Sequence, residues 1–442
     1  MRNLPRVLCN LVTSMKRLCW SKEALRKHQQ KHLRNVIGNA YESVPFYHEK
    51  FRRAGVFPND IRTVADLDKL PITRKDELRN ENPTRLLSCK YAKAKLRTLT
   101  TSGSTGKPLK VYITNSEDCW RKAIYLRANI ACGQKPSDRW AVITAPRHFG
   151  NTTDIQRKLG IFAQTCISVF SRIDQQVAFV NQVKPDVLDG YSGALYLLAR
   201  KIHELGLSPP RPKMILGSAD LTDTPTRKCI EKVFNAPYYD QFGCIEVDRT
   251  AWQCPEKVGY HMDVDSVITE FVDQDGRDVS AGETGEILHT SLFNYAMPFI
   301  RYSVGDMGKP SNEVCPCGRT LPLMEVVEGR KDSFIVLPNG QLASPRMFTV
   351  ALSMCNQFAN IEQFRIIQKK RDLLEFVIKR KRDGIEDAIF KKELVADLTK
   401  LLKIDKDMRF DVKFVEDIPM NKSGKLMAVV SDVKPTPTSH LV

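Results

Sequence analysis

The sequence predicts an α/β protein: a large N-terminal domain with mainly parallel sheets and an antiparallel sub-region, then a small α+β C-terminal domain. Three observations carry this. Between residues 140 and 242, short apolar runs alternate with segments whose apolar residues recur every three or four positions. From about 262 to 308 the pattern changes to polar–apolar alternation. After Gly329 comes a separate stretch of mixed strands and helices. A chain of 442 residues holds about two or three domains, here divided as 1–84, 85–329 and 330–442.

In chain order, the start MRNLPRVLCNLVTSMKRLCW reads as a packed amphipathic helix with a solvated basic face. It has no sustained apolar core and no small-residue cleavage site, so it is not read as a signal peptide. Residues 23–84 read as helices broken by Pro45, Pro58, Pro71 and Pro83. Strands are expected at WAVIT (140–144), TCISVF (165–170), DVLDG (186–190), KMILGS (213–218) and YYDQF (238–242). Helices such as DQQVAFVNQV and SGALYLLARKIHEL lie between them. Short buried strands alternating with helices imply an open, largely parallel sheet. SVITEFVDQDGRDVSAGETGEILHT reads as antiparallel hairpins. In the last part, FRIIQKKRDLLEFVIKRK reads as a hairpin, IFKKELVADLTKLL as a helix and RFDVKFVEDI as a strand.

Composition sets limits. Apolar content of 42% with 27% charged residues is that of an ordinary globular protein. No apolar run approaches the roughly 18 residues of a membrane span. The net charge of +17 suits polyanionic substrates such as ATP. The basic start leaves room for contact with an anionic membrane surface, but no nucleic-acid motif accompanies it. Twelve scattered cysteines imply reduced thiols and a cytoplasmic location.

The stretch TLTTSGSTGKPLKVYIT (98–114) is the first chemical signal. It fails as a Walker A loop, because only two residues separate Gly103 from Gly106 and Pro108 follows Lys107. Ser104-x-x-Lys107 lacks the companion motifs of the serine enzymes that use that spacing. A hydroxyl-rich turn between strands remains, with free backbone N–H groups and one cation, suited to gripping a polyphosphate. The alternative is a plain polar hairpin turn.

The octet TSGSTGKP resembles the phosphate loop of the adenylate-forming superfamily, which includes acyl-CoA synthetases, adenylation domains and luciferases. FGCIE (242–246), RYSVGD (301–306), GRKD (329–332) and PMNKSGK (419–425) follow in the order of that superfamily's landmarks. NVIGNAYESVPFYHEKFRRAGV, NYAMPFIRYSVGD and CPCGRTLPLMEVVEGRKD resemble phenylacetate-CoA ligases and CapK-like proteins. The resemblance implies an adenylation core over 85–329 and a mobile C-terminal domain. Thr101, Ser102, Gly103, Ser104, Thr105, Gly106 and Lys107 would surround the β- and γ-phosphates of ATP. Ser218 and Ala219, with Gly217, would line the base, and Asp240 would accept from the adenine amino group, beside Gln241, Phe242 and Gly243. Glu246 would ligate Mg²⁺, Asp306 the ribose hydroxyls, and Arg330 ribose or phosphate. Asp332 would be the hinge. Lys425 would bridge the carboxylate and the α-phosphate in the first step.

Two departures are visible. Ile245 stands where the superfamily has Ser or Thr, and Phe242 where it usually has Tyr. Cys315 and Cys317, with Cys254 and His261, resemble the ligands of a closed, structural zinc site. His148, Phe149 and Tyr191 are the expected acyl-pocket contacts. The resemblance implies a carboxylic acid, ATP and CoA as substrates, in a monomer or homodimer. Two alternatives stay open. One is transfer of the acyl or AMP group to a non-CoA acceptor, as in CapK-like proteins or deazaflavin-adenylating synthetases. The other is a degenerate nucleotide-binding homologue.

Overall fold

A computed structural model describes residues 4–101, 108–150, 152–219, 222–330, 334–381, 385–402, 407–421 and 425–433, without the side chains of 326–330 and 346. Its framework is one twelve-stranded sheet. Five strands are parallel, in the order Gln164–Ser168, Trp140–Thr144, Val187–Tyr191, Met214–Ser218 and Tyr238–Cys244. They are the five apolar runs, and helices cover both faces, as parallel strands require. Ala141, Ile143, Leu188, Ile215 and Tyr238 face a core closed by the helices Ile173–Val183, Ser192–Glu204 and Thr224–Phe234. Trp140, Val142, Val187, Leu216 and Tyr239 face the other way, toward the helix Asn115–Ala131 and the N-terminal helix Leu4–Arg17.

From Tyr238–Cys244 onward the same sheet runs antiparallel through Asp248–Gln253, Tyr260–Met262, Leu323–Arg330, Tyr302–Ser311, Gly285–Ser291 and Val267–Val272. The expected antiparallel sub-region is therefore continuous with the parallel part. The two-residue strand Thr73–Arg74 joins it beside Tyr302–Ser311.

In the helical N-terminal part, Leu4–Arg17 buries Val7, Leu11 and Ser14 and leaves Arg6 and Lys16 outside. Pro45 and Pro83 open helices, because proline's missing N–H costs nothing in the first turn. No helix among the described residues is long and apolar enough to cross a membrane.

The C-terminal unit has a four-stranded sheet: the hairpin Ile361–Lys370/Leu373–Arg380 with Arg409–Phe414 and Val429–Ser431 added in parallel at its edges. Helices Pro345–Met354 and Asp387–Leu402 contribute Phe348, Leu352, Phe390, Leu394 and Leu398 to its core. It rests on the large unit. Arg200 Nη1, on the helix Ser192–Glu204, donates to the carbonyls of Ile361 (2.5 Å) and Glu362 (2.9 Å), and Met420 packs against that helix's core.

One buried ion cluster ties the N-terminal helices to the sheet. Arg127 is fully buried; its Nη2 donates to Asp263 (2.5 Å) and its Nη1 to Asp265 (2.8 Å), while Arg17 lies 3.6 Å from Asp265. Removing Arg127 strands two buried carboxylates, which costs more than an ordinary truncation. Arg127→Ala is expected to lose about 3–5 kcal/mol in denaturant unfolding, and Asp263→Asn in that background to restore part of it.

Candidate functional site

The strand Tyr238–Cys244 carries the central residues of the site, and two glycines let the chain pass there. A Cβ on Gly243 would lie 2.3 Å from the Asp248 carbonyl oxygen, across the bulge where this strand meets Asp248–Gln253. A Cβ on Gly217 would lie 1.7 Å from the Tyr238 hydroxyl. That hydroxyl is fixed by Ser192 Oγ (2.7 Å) and Thr222 Oγ1 (2.9 Å), and Ser192 Oγ donates to the Ser218 carbonyl (3.2 Å). Ala219, just beyond, has φ +74°, a left-handed conformation a side chain rarely adopts.

Above these positions lies a cavity of about 1460 Å³. Thr101, His148, Phe149, Tyr191, Ser218, Ala219, Asp240, Gln241, Phe242, Gly243, Glu246, Asp306 and Lys425 all line it. They come from segments up to 324 residues apart (Thr101 to Lys425) and from both units. Ser102, Gly103, Ser104, Thr105, Gly106, Lys107 and Asp332 lie outside the described residues. Their flanks are defined. Arg97–Thr100 pairs antiparallel with Lys110–Ile113, and Thr101 closes the base of the loop. The Thr101 N–H donates to the Leu109 carbonyl (3.0 Å), and the Leu109 N–H to Thr101 Oγ1 (2.9 Å). The backbone of Arg330 sits opposite Asp306 in neighbouring strands.

Glu246 is 1% exposed, and its Oε1 accepts from Tyr302 Oη (2.7 Å) and Lys75 Nζ (2.9 Å). Burial alone would raise this carboxyl; the Lys75 ammonium and the Tyr302 hydroxyl outweigh it and hold the group below its usual range. Sequence reasoning missed Lys75. It starts the helix Lys75–Asn80, and the pairing of Thr73 with Tyr302 delivers it to the site. Arg121 was missed too: its Nη2 donates to the Ile245 carbonyl (2.9 Å) and its Nη1 reaches the Glu246 carbonyl (3.5 Å). The backbone at Ile245 is thus held without the hydroxyl that the superfamily usually has there.

Asp240 is buried, and its carboxylate already has partners. Oδ2 accepts from Tyr260 Oη (2.8 Å) and Oδ1 from the Gln241 N–H (3.1 Å). Gln241 Nε2 in turn donates to Asn129 Oδ1 (2.9 Å). At the cavity's other wall, burial, Arg147 and Lys425 push His148 down to about 4, so it is a neutral imidazole at pH 7. Its Nε2 accepts from Arg147 Nε (3.0 Å). Two hydrogen bonds tie Lys425 to Asn421: the Lys425 N–H donates to Asn421 Oδ1 (3.0 Å), and the Asn421 N–H to the Lys425 carbonyl (3.0 Å).

Cys254, His261, Cys315 and Cys317 converge beside this cavity, their ligand atoms all within 4.8 Å of one another. Cys254 Sγ and Cys315 Sγ are 3.4 Å apart, as are Cys317 Sγ and His261 Nε2. Zinc–ligand bonds of about 2.0–2.3 Å arranged tetrahedrally need donor separations of this order.

No family model matches the chain. A phenylacetate-coenzyme A ligase of Thermus thermophilus is 27% identical over 324 residues, 72% of each chain. Protein CapK of Staphylococcus aureus is 23% identical over 467 aligned positions, 97% of this chain and 98% of that one. Among solved structures, a 2-hydroxyisobutyryl-CoA ligase in its postadenylation state, in complex with 2-HIB-AMP, superposes with a TM-score of 0.79 at 21% identity, covering 94% and 91%. The same ligase in its thioesterification state gives 0.63. The chain is thus similar to phenylacetate-CoA ligases and CapK and has the adenylate-forming ligase fold.

The close approach at Gly217 gives a test that needs no substrate. Gly217→Ala must displace Tyr238 from Ser192, and overpacking of this kind costs about 1–3 kcal/mol. Thermal unfolding is expected to show the loss, while the same substitution at Gly206, with open space around it but φ +61°, costs only the backbone strain.

Proposed function

We propose that this relative of the phenylacetate-CoA ligases is an AMP-forming acid–thiol ligase of the cytoplasm. A carboxylate oxygen attacks the α-phosphorus of ATP and the bond to pyrophosphate breaks. The thiolate of CoA then attacks the acyl carbon and AMP leaves. The observation that carries this reading is the meeting, in one cavity, of Lys425 from the C-terminal unit with Asp306 and Glu246 from the large unit. No hydrolytic triad is needed for such a reaction. Positioning and charge neutralisation do the chemistry.

In this reading the phosphate loop, residues 101–107, holds the pyrophosphate half of ATP. Asp306 accepts from the ribose hydroxyls, and Arg330 lies at the junction from which the C-terminal unit rotates about Asp332. Ser218 and Ala219 border the base with Asp240, whose carboxylate would accept from the adenine amino group. Lys425 places an ammonium against the charge that builds up as the carboxylate meets the phosphate. The neutral ring of His148 adds no competing positive charge.

Mg²⁺, when bound, draws charge from the phosphate oxygens, and Glu246 is the carboxylate suited to hold it. Lys75 already neutralises Glu246 in this structure. Glu246 would hold the metal in place of, or together with, Lys75, and Lys75 balances the carboxylate without it. The four-ligand cluster fits Zn²⁺ in donor type, number and separation, and with four protein ligands it would be structural. It would pin the end of Asp248–Gln253 to Tyr260–Met262 and to the loop before Leu323–Arg330.

Similarity to CapK over nearly the whole chain favours one second reading, in which the activated acyl group passes to an acceptor other than CoA. The adenylation half is common to both.

Carboxylate-dependent ATP–pyrophosphate exchange without CoA tests the adenylation. Exchange is expected with one class of acid and a fall of about 10²-fold or more in Lys425→Ala. Silence across aryl, arylacetic, fatty and hydroxy acids, with ATP still bound, would overturn the reading. For the cluster, metal analysis of the purified protein is expected to find about one zinc per chain. Cys317→Ser should lower the content and the thermal midpoint together, leaving the ATP affinity of the folded fraction unchanged.

A further inference from the structure

One wall of the cavity carries a group that the proposed chemistry does not use. Asp189 lies in the middle of Val187–Tyr191, in register with Val142 on one side and Leu216 on the other, on an otherwise apolar face. It is 3% exposed and lines the cavity. Its Oδ2 accepts from Tyr125 Oη (2.7 Å) and Trp140 Nε1 (3.3 Å). Among the described residues no Lys, Arg or His forms an ion pair with it. Burial pushes its carboxyl up to about 6 against the Tyr125 and Trp140 hydrogen bonds, the nearby Arg249 charge and a hydrogen bond from the Gly190 N–H, so it is largely ionised at neutral pH.

The Arg249 charge offsets only part of the cost of burying this carboxylate, and the Tyr125 and Trp140 donors could be oriented as well by an amide. Bracing Tyr125 and Trp140 therefore does not explain why the residue is acidic. A carboxylate has about four lone-pair sites, and the three donors Tyr125, Trp140 and the Gly190 N–H leave about one open. A second buried group points the same way. Arg249 is 4% exposed and lines the same cavity; its Nε lies 3.5 Å from Asp263 Oδ2 and its Nη1 donates to the Tyr125 carbonyl (2.7 Å), while its Nη2 is buried without a hydrogen-bond partner among the described residues. Acceptor capacity at Asp189 and donor capacity at Arg249 border one apolar space, walled by Leu126, Val142 and Phe162.

We propose that Asp189 reads a hydrogen-bond donor carried by the acyl group, so that the acids taken bear a hydroxyl or amino substituent away from the reacting carboxylate. The assignment rests on the carboxylate-activation reading given above and narrows its substrate class. A hydroxyl satisfies both partners, donating to Asp189 and accepting from Arg249. An aromatic amine satisfies Asp189 alone. A plain aryl or alkyl group would leave the open Asp189 lone pair and the Arg249 Nη2 without a partner, and a site built around such groups rejects the analogue that lacks the substituent.

The test is ATP–pyrophosphate exchange with matched acids: phenylacetate against its ring-hydroxylated and ring-aminated forms, and short aliphatic acids against their hydroxy analogues. The wild-type chain is expected to prefer the substituted member by about 10-fold or more in kcat/KM. Asp189→Leu should abolish or reverse that preference, and the milder Asp189→Asn, which keeps the shape, should reduce it. Hydroxylated acids exceeding aminated ones would assign a part to Arg249 as well.

Equal rates for both members in the wild type would overturn the proposal while leaving carboxylate activation intact. So would an equal fall for both members in Asp189→Asn with ATP binding and thermal midpoint unchanged, since a bracing role has that signature. No exchange with any acid would overturn the activation reading, and this assignment with it.

Discussion

One strand, Tyr238–Cys244, is bonded in parallel to its neighbour on one side and antiparallel on the other. That change of direction is the constraint on which the site depends. Parallel strands deliver their C-terminal ends, and the loops that follow them, to one edge of a sheet, where ligands bind in open α/β folds. The antiparallel strands fold back against that edge. Asp240, Gln241, Phe242 and Gly243 lie on the shared strand, and Glu246 follows it directly. Close approach at Gly217 and Gly243 holds the seam tight enough that neither position admits a Cβ without displacing its neighbour.

Charge at this seam is arranged in layers. Glu246 is balanced by Lys75, its backbone is held by Arg121, and the buried trio of Arg127, Asp263 and Asp265 anchors the helix that carries Arg121. The C-terminal unit then brings Lys425 over the cavity, resting through Arg200 on two carbonyl groups. Apolar contacts accompany those two hydrogen bonds: Met420 packs against the same helix's core, and Met307 of the large unit clusters with Phe334, Val336 and Leu342.

Much of this was legible in the sequence, and the part that was not has a physical reason. Buried parallel strands are continuous apolar runs, so WAVIT and DVLDG declared themselves. The FGCIE and RYSVGD segments lie beside the cavity because short motifs keep their chemistry within a few residues. Cys254, His261, Cys315 and Cys317 were readable as one cluster from residue type and resemblance. Lys75, Arg121, Tyr260 and Arg249 were not, because each looks like a surface or core residue until strand pairing carries it to the site. Nor could the sequence say that Asp240 is engaged by Tyr260, or that the backbone at Ile245 is secured by an arginine from a distant helix. Asp189 was read as part of a strand and of the segment LDGYSG (188–193) expected to line the acyl pocket, with no role of its own. A carboxylate inside an apolar run acquires meaning only once its neighbours in the sheet are known to be Val142 and Leu216.

The central claim is that a carboxylate oxygen attacks the α-phosphorus of ATP in this cavity. An acid labelled with oxygen-18 in both carboxylate positions tests that bond directly. The account predicts that, after turnover with ATP and an acyl acceptor, the AMP formed carries one labelled oxygen on its phosphate, read by mass spectrometry. AMP free of label, or ADP in its place, would contradict it.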